Sequence, residues 1–215
     1  MARRHIQKLI ITKVVKPGDR ITTRAMSEAL GISETPIREA IRSLAAEGWL
    51  EIETHVGAIV ASAGTDQLRE IYALRGRIGA LAIELGWPDF DAARLAVIDE
   101  NITASDTAIK ANDAAAYTQL NHDFHALLCS SPHSQWCLRL LTNLTAMTSV
   151  TFGFVILPDR MAASLVEHRT IRDAIQAGNM AEAANLVIEH EQAGYRALVG
   201  EIEENERQAR EQAAV

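Results

Sequence analysis

The sequence predicts a mainly α fold: an N-terminal winged helix-turn-helix with a small β-hairpin wing, then a C-terminal antiparallel α-helical bundle. Three observations carry this. Apolar residues recur at helical spacing along most of the 215-residue chain. Aromatic residues make up only 5% of it, while Ala, Leu and Ile abound. The main β-prone stretch, "WLEIETHVGAIVAS", lies between two short helices and everything that follows.

Residues 3–15 read as a helix, with Ile6, Leu9 and Ile10 on one face. "KPGD" at 16–19 is a turn, because Pro fixes φ and Gly tolerates unusual φ. In "TTRAMSEALG", Thr22 or Thr23 caps a second helix, Met26, Ala29 and Leu30 face inward, and Gly31 stops it. In "ISETPIREAIRSLAAEGWL", Ser33 is the expected N-cap and Pro36 falls in the first turn, where its missing N–H costs nothing. Ile37, Ala40, Ile41 and Leu44 form the buried stripe, with Thr35, Arg38 and Arg42 opposite. A hairpin turning near His55–Gly57 completes the wing. Such a unit can lay its second helix-turn-helix member in a DNA major groove while the wing reaches phosphates. Without that role it would be a small helical subdomain with a solvated outer face.

Charge divides the same way. Residues 1–62 hold nine Lys/Arg against seven Asp/Glu, and residues 63–215 hold twelve against twenty-one, within a net charge of −7. Only the head is suited to a polyanion. No apolar run reaches the ~18 residues of a membrane span, and the N-terminus lacks a secretion signal. Cys129 and Cys137 form no metal or redox motif. A cytoplasmic protein without membrane contact is expected.

From "ASAGTD" at 61–66 onward, six helices are expected near 66–86, 90–110, 113–129, 134–151, 158–177 and 180–208. Such a bundle offers an interior pocket between facing helices. "LNHDFHALL" lies on the third. Asn121 and His125 are four apart and share a face, while His122 and Asp123 project elsewhere, although His122 could lean towards His125. His168 in "SLVEHRTI" and His190 in "NLVIEHEQA" also stand in apolar helical contexts, twenty-two residues apart. Three His and an amide oxygen would suit a late first-row divalent ion. Each His could equally be an ordinary core side chain.

The words themselves carry a resemblance. "KPGDRIT", "MSEALGIS", "TPIREAIRSLAAEGWLEI" and "VGAIV" resemble the DNA-binding domain of GntR-family transcription regulators. "YALRGRIGALAIELG", "LNHDFHALLCSSPHS" and "EHRTIRDAIQAGNMAEAANLVIEH" look like the FadR C-terminal (FCD) domain, in its six-helix, VanR-like form. The resemblance implies a head at 1–62 that binds double-stranded operator DNA, and an effector-binding and dimerisation domain at 63–215. It implies DNA contacts from Arg24 and Arg38, with Thr35, His55 and Gly57 as weaker carry-overs. Arg42, one turn beyond Arg38, adds a phosphate-contact candidate. Glu34 replaces a usual Arg; it could accept from a cytosine amino group, or simply pair with Arg38 four residues on.

The resemblance also implies a metal shell of Asn121, His125, His168 and His190, with zinc foremost and nickel or manganese as alternatives. Asn stands where Asp is usual, so the shell is neutral and an anionic co-ligand is favoured. Arg75 matches the arginine that meets an effector carboxylate, with Tyr72, Thr145 and Thr148 as further pocket candidates. Gly79 replaces a usual Glu, a change expected to soften helix packing and widen the pocket. The function expected is a homodimeric regulator, most often a repressor, tuned by a small carboxylate. A metal-dependent hydrolase and a metal-free dimerisation scaffold are the alternatives. A hydrolase needs a base near bound water, and Asp123 and Glu167 are expected to point off the ligand face.

Overall fold

Ile6 and Ile10 lie one turn apart in α1 (Ala2–Ile11) and are completely buried, so this helix forms around a single hidden stripe. The computed structural model describes residues 1–12, 14–53, 57–61, 64–151, 154 and 157–213. α1 ends at Ile11, before the predicted residue 15, and the Thr12 hydroxyl donates to the Lys8 carbonyl at 2.8 Å. α2 (Thr23–Leu30) is capped by Thr22, whose side-chain oxygen accepts from the Ala25 N–H at 3.2 Å. It stops at Gly31, whose φ of 64° favours glycine. α3 (Glu34–Ala46) buries Ile37, Ala40, Ile41 and Leu44, the expected stripe. Ser33 holds the N-cap position, but its hydroxyl makes no cap hydrogen bond.

β2 (Leu50–Glu53) and β3 (Gly57–Val60) form the expected antiparallel hairpin, with Leu50 opposite Val60. A third strand, β1 (Arg20–Ile21), pairs with β3 and gives the order β1-β3-β2. Two residues are too few to show period-two alternation, so β1 exists only because β3 supplies its hydrogen-bonding partner. Ile6, Ile10, Ile37, Leu44, Leu50 and Val60 share one core with Ala146, which comes from the distant helix α7 (Gln135–Thr151).

The remaining elements are α4 (Thr65–Leu85), a 3-10 turn at Trp87–Asp89, α5 (Ala92–Lys110), α6 (Ala114–Leu128), α7, α8 (Pro158–Gln176) and α9 (Met180–Ala213). The bounds of α4 to α9 agree with expectation to within two residues, except that α9 runs beyond residue 208. Ile83, Ile98, Tyr117, Phe124, Leu165, Ile171 and Val187 make a second core. α4 and α9 approach closely because their seam lacks side chains. A Cβ on Gly76 would lie 3.2 Å from the Ile188 Cα, and one on Gly79 would lie 2.7 Å from Val187 Cγ1. Gly79 therefore tightens this seam rather than loosening it, against expectation, because Val187 fills the space beside it. No helix among the described residues is long and apolar enough to cross a membrane.

Candidate functional site

His125 on α6, His168 on α8 and His190 on α9 converge in the second core. One ring nitrogen from each lies within 4.8 Å of the others, and all three are buried. The Nε2 atoms of His125 and His190 face each other at 3.2 Å. His168 is 0% exposed, and neither of its ring nitrogens has a hydrogen-bond partner among the described residues. Phe124 stacks flat on its ring at 3.7 Å and fixes its plane. Burial, then neighbouring positive groups, hold His125 and His168 well below the usual histidine range, so both stay neutral near pH 7. A buried neutral imidazole without a hydrogen-bond partner, as His168 is among the described residues, is a poor core residue but a good divalent-metal ligand. Asn121, also buried, lines the same cavity, with its Oδ1 3.4 Å from the Ser164 hydroxyl. The donor set fits a metal.

A second layer of carboxylates orients these rings, and sequence reasoning missed it. Glu167 on α8 accepts from His190 Nδ1 at 2.6 Å, leaving Nε2 to face inward. Burial alone would raise the Glu167 pKa, but hydrogen bonds from His190 and Arg160 hold it below the usual range. Glu167, expected to point off the ligand face, touches His190. It serves instead a histidine of the next helix, a pairing that spacing within α8 cannot reveal. This carboxylate–histidine arrangement fixes the tautomer and ring direction of metal ligands. Glu191 on α9 lies 3.5 Å from His125 Nδ1.

Arg75 lines the cavity but is already engaged. Its Nε and Nη2 both donate to Glu191 Oε1, at 3.2 and 3.0 Å, and its Nη1 donates to Thr148 Oγ1 at 2.7 Å. The pair is buried, with Arg75 5% and Glu191 2% exposed. Arg75 is thus neither free nor paired with the nearby Glu70. The residue following the last histidine in sequence is its counter-ion, and the signal was only that a Glu stood there. Tyr72 and Thr148 line the cavity, whereas Thr145 lines a different one. His122 does not face away as expected: it lines the cavity beside His125, and burial followed by the Arg75 charge pushes its pKa down to about 3. Asp123 is exposed and accepts from Gln119 at 2.9 Å.

The free space of this cavity is about 60 Å³. A larger crevice of about 580 Å³ opens between α1 and Trp49 on one side and α6 and α7 on the other. His122 and His125 line both spaces. Asn121, His190, Arg75 and Arg160 line the smaller cavity and not the crevice.

In the head, Thr35 and Arg38 are exposed on α3. Arg38 donates to Glu34 at 2.7 Å, Arg24 to Glu28 at 2.9 Å and Arg42 to Glu39 at 3.2 Å. Pairs this exposed are weak, so phosphate can displace the acids. Glu34 has the simpler of its two expected partners. Gly57, at φ 110°, lies close to Arg20, which with Thr22, Arg38 and Arg42 surrounds a shallow cleft. Arg20 was missed because the strand that positions it was missed. His55 lies outside the described residues.

A winged helix-turn-helix joined to a helical bundle with a histidine cage defines a class: a transcription regulator. Residues 1–60 match the bacterial regulatory proteins of the gntR family, and residues 70–193 match the FCD domain. The chain belongs to the GntR family of regulators, in its FCD-bearing, FadR-like branch. It is 27% identical over 187 residues to the transcriptional regulator YdhC of Bacillus subtilis, covering 86% of this chain and 84% of that one. It is 28% identical to a probable D-xylose utilization operon transcriptional repressor of Paenarthrobacter nicotinovorans, covering 83% and 78%. Its fold is shared with E. coli McbR/YncC at a TM-score of 0.82 and 19% identity, covering 94% and 96%. A putative regulator from Rhodococcus sp. RHA1 gives a TM-score of 0.74 at 20% identity, covering 92% and 95%.

Proposed function

We propose that this regulator is a cytoplasmic homodimeric repressor whose operator binding is tuned by a small carboxylate held at a divalent metal, zinc foremost. The DNA-binding unit is residues 1–62, and the sensing and dimerising unit is residues 63–215. Asn121, His125, His168 and His190 would hold the metal, which when bound supplies a positive centre for an acidic oxygen. The observation that carries the reading is the fully buried His168, whose two ring nitrogens have no hydrogen-bond partner among the described residues and which clusters with two further imidazoles.

Arg24, Thr35, Arg38, Arg42 and Gly57 would meet DNA, with Arg20 beside them. Two heads on a dimer suit a roughly palindromic operator. α7 supplies the link between the units. Its Thr148 is bonded to Arg75 at the cavity, and its Ala146, two residues earlier, is packed in the head core. A ligand that shifts α7 therefore shifts the head, provided it binds the two arrangements unequally.

The hydrolase reading loses support from the second layer. Glu167 is held by His190 and Arg160, and Glu191 by Arg75, so neither is free to act as a base. The scaffold reading leaves His168 without a reason. The test is a binding assay on an operator selected from random DNA, repeated with zinc and small organic acids. Zinc-dependent release or strengthening by an acid is expected. Operator binding indifferent to every metal and acid would leave only the scaffold.

A further inference from the structure

We propose that Arg160, rather than Arg75, is the arginine that receives the carboxylate of the effector. The inference rests on the sensor reading above and assigns the anchoring residue within that site.

The two guanidinium groups on the cavity wall are both paired with a carboxylate, but they differ in how many of their nitrogens are engaged. On Arg75 every nitrogen is in use: two donate to Glu191 and one to Thr148. Its charge is cancelled by a carboxylate as buried as itself. An entering acid would have to displace Glu191 and leave a buried carboxylate without its counter-ion. Arg160 stands at the third position of α8 (Pro158–Gln176), and its side chain is 10% exposed. Nη2 donates to Glu167 Oε2 at 2.5 Å. Nη1 is buried and has no hydrogen-bond partner among the described residues. A guanidinium stays protonated in proteins, so this donor cannot be silenced by losing its proton. It is a buried donor that lacks an acceptor.

The surroundings say which acceptor fits. Arg160 lines the cavity with Asn121, His125, His190 and Ser164. Tyr72 and Thr118 complete that wall of the cavity. The Glu167 oxygen that holds Arg160 is the one that holds His190 Nδ1, so a single atom sets the anchor and a metal ligand relative to each other. Glu167 and Glu191 offset Arg160 and Arg75, so a bound divalent ion would keep its full charge and favour an anion. A cavity of about 60 Å³ equals roughly two water volumes. The ligand class is therefore a compact carboxylic acid, one oxygen directed to the metal cage and the carboxylate to Arg160 Nη1.

The experiment is calorimetric titration of full-length, zinc-loaded protein with acetate, propionate and malonate, on wild type, Arg160→Gln, Arg160→Lys and Arg75→Lys. Gln keeps a donor for Glu167, and zinc stoichiometry by elemental analysis checks that the cage survives. Arg160→Gln is expected to weaken acid binding by about 10- to 100-fold, the usual loss for a charged hydrogen bond. Arg160→Lys should fall between it and wild type, Arg75→Lys should stay close to wild type, and zinc content should not change. Equal acid affinity in wild type and Arg160→Gln overturns the assignment while leaving the sensor standing, as does a loss confined to Arg75→Lys. Wild type binding none of the acids with zinc present overturns the sensor reading and this assignment together. Loss of zinc from both Arg160 variants would make Arg160 a support of His190 and also overturn it.

Discussion

Glu191 places one carboxylate oxygen 3.0 Å from Arg75 Nη2 and 3.5 Å from His125 Nδ1, so one buried side chain touches both the arginine and a histidine of the cage. Arg75 is thereby a buried structural ion-pair member before any ligand arrives. Arg75→Ala should then cost about 3–5 kcal/mol of stability, because it strands Glu191 without its counter-ion. The double variant Arg75→Met with Glu191→Met should recover most of that loss. Chemical denaturation of the three proteins measures it, and a single variant as stable as wild type would show the pair to be dispensable.

The cage makes a compositional prediction. His125→Ala and His168→Ala should each lose the metal, whereas Asn121→Asp should hold it more tightly by adding a negative oxygen ligand. Elemental analysis after dialysis decides this, and full occupancy in both alanine variants would refute the assigned shell.

Glu167 touches His190 and would act on a bound metal through that ring. Glu167→Gln should lower metal affinity by about 10- to 100-fold without abolishing binding. Competition with a fluorescent chelator reads the change. An unchanged affinity would mean that the 2.6 Å contact to His190 Nδ1 does nothing for the site.

Protonation should work against the metal-free fold. Burial pushes His122 to about 3 and His125 and His168 well below 6.5. Their folded pKa values lie under the unfolded one, so the unfolded chain binds protons first as pH falls. Stability should be level above about 6.5 and decline from there towards about 3. Melting of chelator-treated protein across that window tests it, and a melting temperature insensitive to acid would contradict buried neutral imidazoles.

On the head, Arg38→Ala should abolish operator binding and leave the fold intact, since its exposed pair with Glu34 contributes little. Arg20→Ala should weaken binding to all sequences and reduce the salt dependence by about one counter-ion. Gel shifts at several salt concentrations separate the two. Arg20→Ala with wild-type affinity and slope would place β1 away from DNA.

The helices and the three clustered histidines were legible because their signals are local. Periodicity, Thr22, Gly31 and the Pro and Gly breaks fix α2 to α8, and the start of α9, to within a turn, since helix hydrogen bonds close within four residues. The buried stripe of α3 follows from the spacing of four apolar residues alone. Asn121 and His125 share a face by the same arithmetic, the apolar helical contexts singled out His168 and His190, and the family resemblance joined the four into one shell.

What joins distant segments was decided only in three dimensions. β1 needed β3, and with it came Arg20. Gly79 reads as a gap in sequence and proves to be a close contact, because Val187 fills it. Glu167 answers to His190, Glu191 to Arg75, and Arg160 faces the cavity with a donor unpaired. Each depends on which helix lies opposite, and the charge pattern of one helix contains no record of its neighbour. The sequence by itself determined which side chains could bind a metal or DNA. Tertiary packing decided which acid each buried arginine is paired with, because that depends on the helix lying opposite.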